Sequence, residues 1–407
     1  MNQLRHYTPR EIDAVIKSSV IGQDKALQAV STAISAHISR LIFNKNNFYS
    51  QKRIQKDNLL IIGNTGTGKT ESIRAAIRGL QLPFPIAVIA VNTLSNVGYK
   101  GRSVDTILED LIKDALRIMA QSPYTYIPES EYIVKDGKKR PKEEAMDKST
   151  IELCEQGIII LDELDKIRSD ERNDYDGVYK RGMQYELLKV VEGGKGFGEL
   201  SISQKIDTSN ILFIGAGAFT DLLKPPPPER AAIGFGSAPA ATRASPKLNP
   251  ERVPGTAELA AYGLVEELLG RFPLRCRFRD LSVKTLYRIM TESNVSPLID
   301  FTRLFGETGN ELKFDKDALK AIAKQAAEVQ TGARGLRTIM GSVLYPILYD
   351  IDGTVKNSVI TITKGVVNGT TPPKIKEKPE PAPPPDVGWM YVSQQKEFPK
   401  KNKASPK

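Results

Sequence analysis

The chain has 407 residues, of which 40% are hydrophobic, so it is long enough to form two or three domains with sizeable cores. Its two cysteines, Cys154 and Cys276, and its two histidines, His6 and His37, lie too far apart in sequence for a zinc cluster of the usual spacing. The formal net charge is +10, and eight lysines against four acids from Thr371 onward supply +4 of it. The rest is mild, so a solvated surface explains it as well as nucleic-acid binding does.

Residues 1–57 are predicted to lead into the first domain. The start of this segment lacks the apolar core of a signal peptide, and no apolar run approaches the roughly 20 residues of a membrane helix. We therefore expect a cytoplasmic protein without membrane contact. Apolar residues recur from Ala26 to Leu41 after the sequence Val20-Ile21-Gly22-Gln23, and this spacing predicts a helix.

A glycine-rich loop stands between an apolar run, Leu59–Ile62, and a helical pattern that starts at Glu71. Strand, loop and helix in this order are the context of a P-loop. Glycines let successive backbone N–H groups face phosphate oxygens, and the helix N-terminus adds its positive dipole. The predicted ATP-binding residues of the loop are Gly63, Asn64, Thr65, Gly66, Thr67, Gly68, Lys69 and Thr70. Lys69 is predicted to reach the outer phosphates, and the Thr70 hydroxyl to hold Mg²⁺.

An acidic pair ends a later apolar run. Ile86–Val91 and Gly157–Leu161 are predicted to be buried strands, and the second leads into Asp162 and Glu163. In a P-loop ATPase, the first acid holds Mg²⁺ and the second orients and activates the attacking water. An acidic strand-to-helix turn has the same appearance, but the P-loop upstream favours the ATPase site.

The order of strands and helices predicts an α/β fold, with a central parallel sheet flanked by helices and a small, mainly helical C-terminal domain. Further strands are predicted at Ile211–Gly215, Pro273–Phe278 and Val359–Ile362. Proline, lysine and glutamate dominate the end of the chain and indicate disorder. The predicted boundaries are 1–57 for the lead-in and first helix, 58–280 for the large domain with an insertion at about 121–150 and a mobile loop at about 224–256, 281–365 for the small domain, and 366–407 for the disordered tail.

Several short motifs follow one another along the chain. They are VIGQDKA (20–26), GNTGTGKT (63–70), GYKG (98–101), GIIILDELDKI (157–167), NILFIGAGAF (210–219), IGFG (233–236), YGLVEELLGRFP (262–273) and TGARGLR (331–337). In this order they resemble AAA+ ATPases, and more closely the ClpX type, the unfoldase ring that feeds the peptidase ClpP. The resemblance implies ATP and Mg²⁺ as cofactors and a homo-hexamer as the working assembly.

The resemblance also implies roles for single residues. Val20 and Ile21 match the lining of the adenine pocket. Arg271 matches the arginine that reaches the ATP of a neighbouring subunit, and Arg334 matches the sensor arginine of the small domain. A planar cation at either place would complete the neutralisation of the transferring phosphoryl group.

Two further motifs match the parts that handle protein substrates and partners. Tyr99 matches the pore-loop aromatic that grips a translocating polypeptide, with Lys100 beside it. Ile233, Gly234 and Phe235 match the loop that docks into a ClpP-like peptidase. The implied function is ATP-driven unfolding of protein substrates by threading them through the ring.

The chain also departs from the family. A cysteine-rich zinc domain is not expected before the motor, and Lys100 stands where the family has a small apolar residue. Two other functions therefore stay open: a nucleic-acid motor or loader of the same superfamily, and a protein-remodelling ATPase without a peptidase. Only diffuse charge favours the first of these, so nucleic acid is not an expected partner.

Overall fold

The structure is a computed structural model that describes residues 5–46, 53–94, 106–121, 127, 129–135, 138–169, 174–197, 205–223 and 251–378. Its helices are α1 (Pro9–Lys17), α2 (Asp24–Asn46), α3 (Lys69–Leu80), α4 (Ile107–Gln121), α5 (Glu143–Cys154), α6 (Asp174–Glu192), α7 (Thr256–Ala261), α8 (Glu266–Gly270), α9 (Val283–Glu292), α10 (Pro297–Glu307), α11 (Lys316–Glu328), α12 (Ala333–Ile351) and α13 (Lys364–Val367). Its strands are β1 (Leu59–Ile62), β2 (Ile86–Ala90), β3 (Tyr132–Lys135), β4 (Lys138–Pro141), β5 (Ile158–Asp162), β6 (Lys195–Phe197), β7 (Ile206–Asp207), β8 (Leu212–Gly217), β9 (Leu274–Arg277), β10 (Glu311–Phe314), β11 (Ser358–Ile362) and β12 (Lys374–Glu377).

A five-stranded parallel sheet in the order β2-β5-β8-β1-β9 forms the centre of the first part of the chain. Its inner strands are apolar, apart from Asp162 at the end of β5, because both faces are covered by helices. Leu59 and Ile61 pack with α1, α2 and α3 on one face. Leu60 and Ile62 belong to the core on the other face, with α4 and α6. The predicted α/β class with a central parallel sheet is confirmed.

The N-terminal lead-in holds two helices, where the sequence predicts one. Helix α1 begins with a capping box, in which the Thr8 side chain accepts from the Glu11 N–H and the Glu11 carboxylate accepts from the Thr8 N–H. Both helices lie against the P-loop helix α3, with Ile12 and Ile16 fully buried. They therefore belong to the layer of helices that covers one face of the sheet.

The region predicted as an insertion, 121–150, is partly regular. Strands β3 and β4 form an antiparallel hairpin, and α5 starts within the same region and packs against α4. The predicted mobile loop spans about 224–256, and residues 224–250 of it lie outside the described residues.

Residues 281–378, here called the C-terminal unit, combine helices α9 to α12 with a small sheet in the order β10-β11-β12. The sequence predicts one strand here, and the structure has three. Strand β12 lies within the stretch predicted to be a disordered tail, and the end of α13, Val366 and Val367, lies in the same stretch. The strand pairs antiparallel with β11, from Ser358 opposite Glu377 to Thr361 opposite Lys374, so backbone hydrogen bonding compensates for its exposed side chains.

Three observations limit other chemistry among the described residues. None of their helices is long and apolar enough to cross a membrane. They hold no group of three or more His, Cys, Asp or Glu side chains that would suit a metal ion. Cys154 and Cys276 are both reduced and buried, and burial raises the pKa of each thiol to about 12.

Candidate active site

The P-loop lies at the carboxyl end of β1, where it turns into α3. Gly66 and Gly68 adopt left-handed backbone angles, with φ of 76° and 102°, which a residue with a Cβ rarely adopts. The Lys69 ammonium is buried and donates to the carbonyls of Gly63 (2.6 Å) and Asn64 (3.0 Å). Burial lowers the pKa of Lys69, which is the expected effect of removing an ammonium from water.

The acidic pair lies beside the P-loop because β5 and β1 flank the same strand, β8, and all three run parallel. The Thr70 hydroxyl is 3.4 Å from the Asp162 carboxylate and donates to it. A hydroxyl and a carboxylate at this distance fit a small, hard cation, because Mg²⁺ takes oxygen ligands and keeps several waters. Thr70 and Asp162 are therefore the residues that would hold the ion.

Glu163 has an unusual backbone. Its φ is 59°, in the left-handed region, and its N–H donates to the Asp162 carboxylate at 2.9 Å. Its side chain is exposed, whereas the next residue, Leu164, is buried in the core. The turn thus separates the carboxylate of Glu163 from the apolar core and leaves it accessible to water.

The C-terminal unit contacts the P-loop directly. The Ala333 N–H, at the start of α12, donates to the Gly66 carbonyl at 2.8 Å. A Cβ on Gly332 would lie 2.5 Å from that same carbonyl oxygen, so only glycine fits there. Arg334 follows in the first turn of α12, and its charge, after burial, is among the causes that lower the pKa of Lys69. The predicted sensor arginine therefore lies within electrostatic reach of the P-loop lysine.

Val20 and Ile21 divide between two hydrophobic cores. Val20 belongs to the core beneath the sheet, and a Cβ on Gly68 would lie 2.9 Å from its side chain. Ile21 belongs to the core of the C-terminal unit. The predicted adenine-pocket residues thus lie at the junction of the two units, next to the P-loop.

Comparison with known proteins agrees with this geometry. Residues 54–275 match the family described as AAA domain (Cdc48 subfamily), and residues 281–357 match the C-terminal, D2-small domain, of ClpB protein. The ATP-dependent Clp protease ATP-binding subunit ClpX of Treponema denticola is 31% identical over 388 residues, which cover 91% of this chain and 83% of that protein. The chain belongs to the ClpX family of AAA+ ATPases. It is therefore a nucleotide-binding protein and an ATP hydrolase.

A second ClpX relative gives the same result. The ATP-dependent Clp protease ATP-binding subunit ClpX 2 of Wolinella succinogenes is 29% identical over 379 residues, covering 91% of this chain and 84% of that protein. Against this ClpX background, the predicted pore residues Tyr99 and Lys100 and the predicted docking residues Ile233, Gly234 and Phe235 lie outside the described residues.

Arg271, the arginine that ClpX-type proteins are expected to share between subunits, does not lie at the P-loop. It follows α8, and its carbonyl accepts from the Asn58 side chain at 2.9 Å. Asn58 precedes β1, whereas the P-loop follows it, so Arg271 and Lys69 lie at opposite ends of one strand. The guanidinium is half-exposed and pairs with Glu192 of the same chain.

Four polar residues support this ClpX-type site although sequence reasoning gives them no role. The first two are buried, as is Asn58: the Gln23 amide donates to the carbonyls of Thr67 and Arg279, and the Asp165 carboxylate accepts from the N–H of Ala218. The others are Asn58 and Asp280, and Asp280 accepts from the Asn64 side chain at 2.7 Å. Gln23 and Asp165 stand inside the motifs VIGQDKA and DELDKI, which could have identified them. Asn58 and Asp280 stand outside the motifs.

Proposed function

We propose that the chain is a ring-forming, ATP-driven protein unfoldase whose hydrolytic sites are each built from two neighbouring copies. The observation that supports a shared site is the separation of Arg271 from the P-loop of its own chain. A strand rises about 3.3 Å per residue, so the five steps from Asn58 to Gly63 span about 16 Å. An arginine held at the amino end of β1 is directed away from its own nucleotide site and is available to a neighbouring one.

Within one pocket, each group has a separate task. Backbone N–H groups of the loop and the Lys69 ammonium bind and orient the phosphates, and Thr70 and Asp162 would hold the Mg²⁺, which would supply positive charge to the phosphates. Glu163 accepts a proton from the attacking water and aims it at the terminal phosphorus. Arg334 of the same chain and Arg271 of the neighbour stabilise the negative charge that develops on the leaving oxygens.

The coupling of this reaction to protein unfolding is supported by the family and by the names of its members. Both relatives are called ATP-binding subunits of the ATP-dependent Clp protease. We propose a homo-hexameric ring in which Tyr99 grips the substrate chain, and Ile233, Gly234 and Phe235 dock on a ClpP-like peptidase.

The test of the shared site is a mixing experiment. Arg271→Ala subunits should bind ATP and hydrolyse it slowly, and so should Glu163→Gln subunits. Mixtures should hydrolyse faster than either alone, because some interfaces then contain an intact Glu163 and a neighbour's intact Arg271. Arg303→Ala, at an exposed arginine of α10, is the control and should keep hydrolysis near the wild-type rate. A mixture no faster than its components contradicts the proposal.

The test of threading uses a folded fluorescent reporter with an unstructured tag. Tyr99→Ala should retain ATP hydrolysis and lose unfolding of the reporter, because an aromatic ring gives a contact with passing chains that tolerates many sequences. Lys100→Val should change the ranking of acidic against basic tags, because an ammonium favours acidic segments. Normal unfolding by Tyr99→Ala rules out this grip.

A further inference from the structure

The residue that fixes the backbone of Arg271 is a buried asparagine at the far end of β1. Asn58 is 2% exposed, and its side chain makes two hydrogen bonds. Its amide NH₂ donates to the Arg271 carbonyl at 2.9 Å, and its amide oxygen accepts from the Phe213 N–H, in β8, at 3.0 Å. One side chain thus joins the central strand of the sheet to the residue that follows α8.

The carbonyl of Arg271 needs this partner. The last carbonyls of a helix accept no hydrogen bond from within that helix. Helix α8 ends at Gly270, one residue before Arg271. The Arg271 N–H donates back to the Leu268 carbonyl, and the Arg271 carbonyl accepts from the Asn58 amide. Asn58 satisfies that carbonyl from inside the fold, so the peptide that carries the arginine is fixed to the sheet.

The guanidinium, by contrast, is held weakly. Its partner Glu192 and Arg271 itself are both about half-exposed, and an exposed ion pair contributes little to stability. A long side chain that is free to exchange partners reaches a reproducible point only if its Cα is fixed. The fixed backbone therefore sets where the guanidinium can go.

We infer that Asn58 is a positioning residue for hydrolysis: it sets the Arg271 of its own chain for the nucleotide site of the neighbouring chain. This inference rests on the proposed shared site. It makes one asymmetric prediction, which a purely structural role of Asn58 does not make. Loss of Asn58 should slow hydrolysis in the neighbour's pocket, which receives the Arg271 of the mutated subunit. It should leave the mutated subunit's own pocket intact.

The experiment is again subunit mixing. Asn58→Ala should bind ATP with near wild-type affinity and lose hydrolysis by up to about 100-fold, the scale of a misplaced catalytic group. Titrating it with Glu163→Gln should make hydrolysis pass through a maximum, because each Glu163→Gln neighbour supplies a well-placed Arg271 to an intact Asn58→Ala pocket. Absence of a maximum, or full activity of folded Asn58→Ala alone, overturns the inference.

The chain offers a matched control. Asn310 is also buried, at 3% exposed, and bridges backbone in the same manner: it donates to the Val355 carbonyl at 2.9 Å and accepts from the Ser358 N–H at 3.1 Å. Asn310→Ala should lower the midpoint of thermal unfolding to a similar degree. Any hydrolysis defect that it shows should not be relieved by mixing with Glu163→Gln.

Two further arms separate the possible failures. If Asn58→Ala does not fold, Asn58→Leu replaces it, because leucine is close to asparagine in shape and leaves no cavity, while it also loses the donor to Arg271. That variant should show the same mixing maximum. If Arg271→Ala is relieved by Glu163→Gln and neither Asn58 variant is, the inference fails and the shared site stands. If Arg271→Ala is not relieved, both fall.

Discussion

The two ends of strand β1 are built in opposite ways. At its carboxyl end, the P-loop uses backbone conformation, glycines and one lysine that lies on loop carbonyls. At its amino end, the fold places basic side chains: Arg40 is 3% exposed and donates to the Asn210 carbonyl and to His37, and the half-buried Lys56 donates to the Thr208 carbonyl. Sequence motifs include the whole P-loop at the first end and only Arg271 at the second.

The protonation of the second end follows from its geometry. Arginine has no acceptor, so Nδ1 of His37 must accept from Arg40 at 2.8 Å, and Nε2–H donates to the Gln156 carbonyl. Burial, followed by the Arg40 charge, lowers the pKa of His37 to about 3, which keeps it neutral. One end of the strand therefore carries the phosphate-binding loop, and the other end holds basic side chains that bond to backbone carbonyls and to a neutral histidine.

The sharpest way to break this comparison is to remove the chemistry of the carboxyl end alone. Glu163→Gln should bind ATP and lose hydrolysis by about 10²–10⁴-fold, because the positioned base is gone while the loop is intact. Phosphate release and nucleotide affinity measure the two effects. Glu328→Gln, at an exposed glutamate of α11, is the control. Wild-type hydrolysis by Glu163→Gln excludes Glu163 as the base.

A second change tests the contact between the P-loop and the C-terminal unit. Gly332→Ala forces a Cβ to within 2.5 Å of the Gly66 carbonyl, so it should weaken nucleotide binding and destabilise the fold by about 1–3 kcal/mol. Gly353→Ala is the matched control, because Gly353 has a φ of 72° against 60° for Gly332, but open space around it. Equal effects of the two changes, measured by unfolding in urea and by nucleotide titration, show that backbone strain alone is responsible.

A third prediction concerns pH and the amino end of β1. Burial, followed by the Arg40 charge, lowers the pKa of Lys56 from 10.5 to about 7. Between these values the unfolded chain binds a proton that the folded chain does not, so stability should rise as pH increases from about 7. Lys56→Met should remove this contribution, which for one group is at most about 1.4 kcal/mol per pH unit. Free energies of unfolding from about pH 7 to about pH 9 measure the slope.

The control for this prediction is Lys284→Met, at an exposed lysine of α9. It should leave the dependence of stability on pH as it is in the wild type. The assignment of the slope to Lys56 fails if both lysine variants keep the same slope.

The smallest effect is expected from the side-chain partner of Arg271. Glu192→Gln removes an exposed ion pair, so stability should change by less than about 1 kcal/mol, and hydrolysis should be largely retained. Asn58→Ala removes the hydrogen bond to the backbone of the same arginine. It should therefore lower both stability and hydrolysis more than Glu192→Gln does. If the order of the two is reversed, the guanidinium partner and not the backbone fixes Arg271.

The sequence predicts the P-loop end well because its function depends on consecutive residues. Gly63 to Thr70 form one continuous motif, although Gln23, Asp280 and Ala333 add hydrogen bonds to it from distant parts of the chain. Asn58 has no such local pattern, and the N–H that it binds lies 155 residues along the chain. A single polar residue before an apolar strand gives no indication of that contact, so its role is visible only in the fold.

Strand β12 shows a different limit of prediction. Its sequence, Lys374 to Glu377, lies next to a proline-rich stretch, and its composition indicates disorder. The strand forms because β11 offers an open edge, and edge pairing depends on backbone groups more than on side chains. The composition of a segment indicates how much apolar surface it can bury. It does not indicate whether a strand elsewhere has an unpaired edge for the segment.

The two buried cysteines have a practical consequence for tests of the proposed ring. Thiolate is the reactive form of cysteine, and at neutral pH a thiol with a pKa of about 12 is almost wholly protonated. Maleimide reagents should therefore leave Cys154 and Cys276 of the native chain unmodified. A cysteine introduced on an exposed helix face becomes a unique attachment point for a donor or acceptor dye. Energy transfer between differently labelled copies can then report how fast subunits exchange, without removing either natural cysteine.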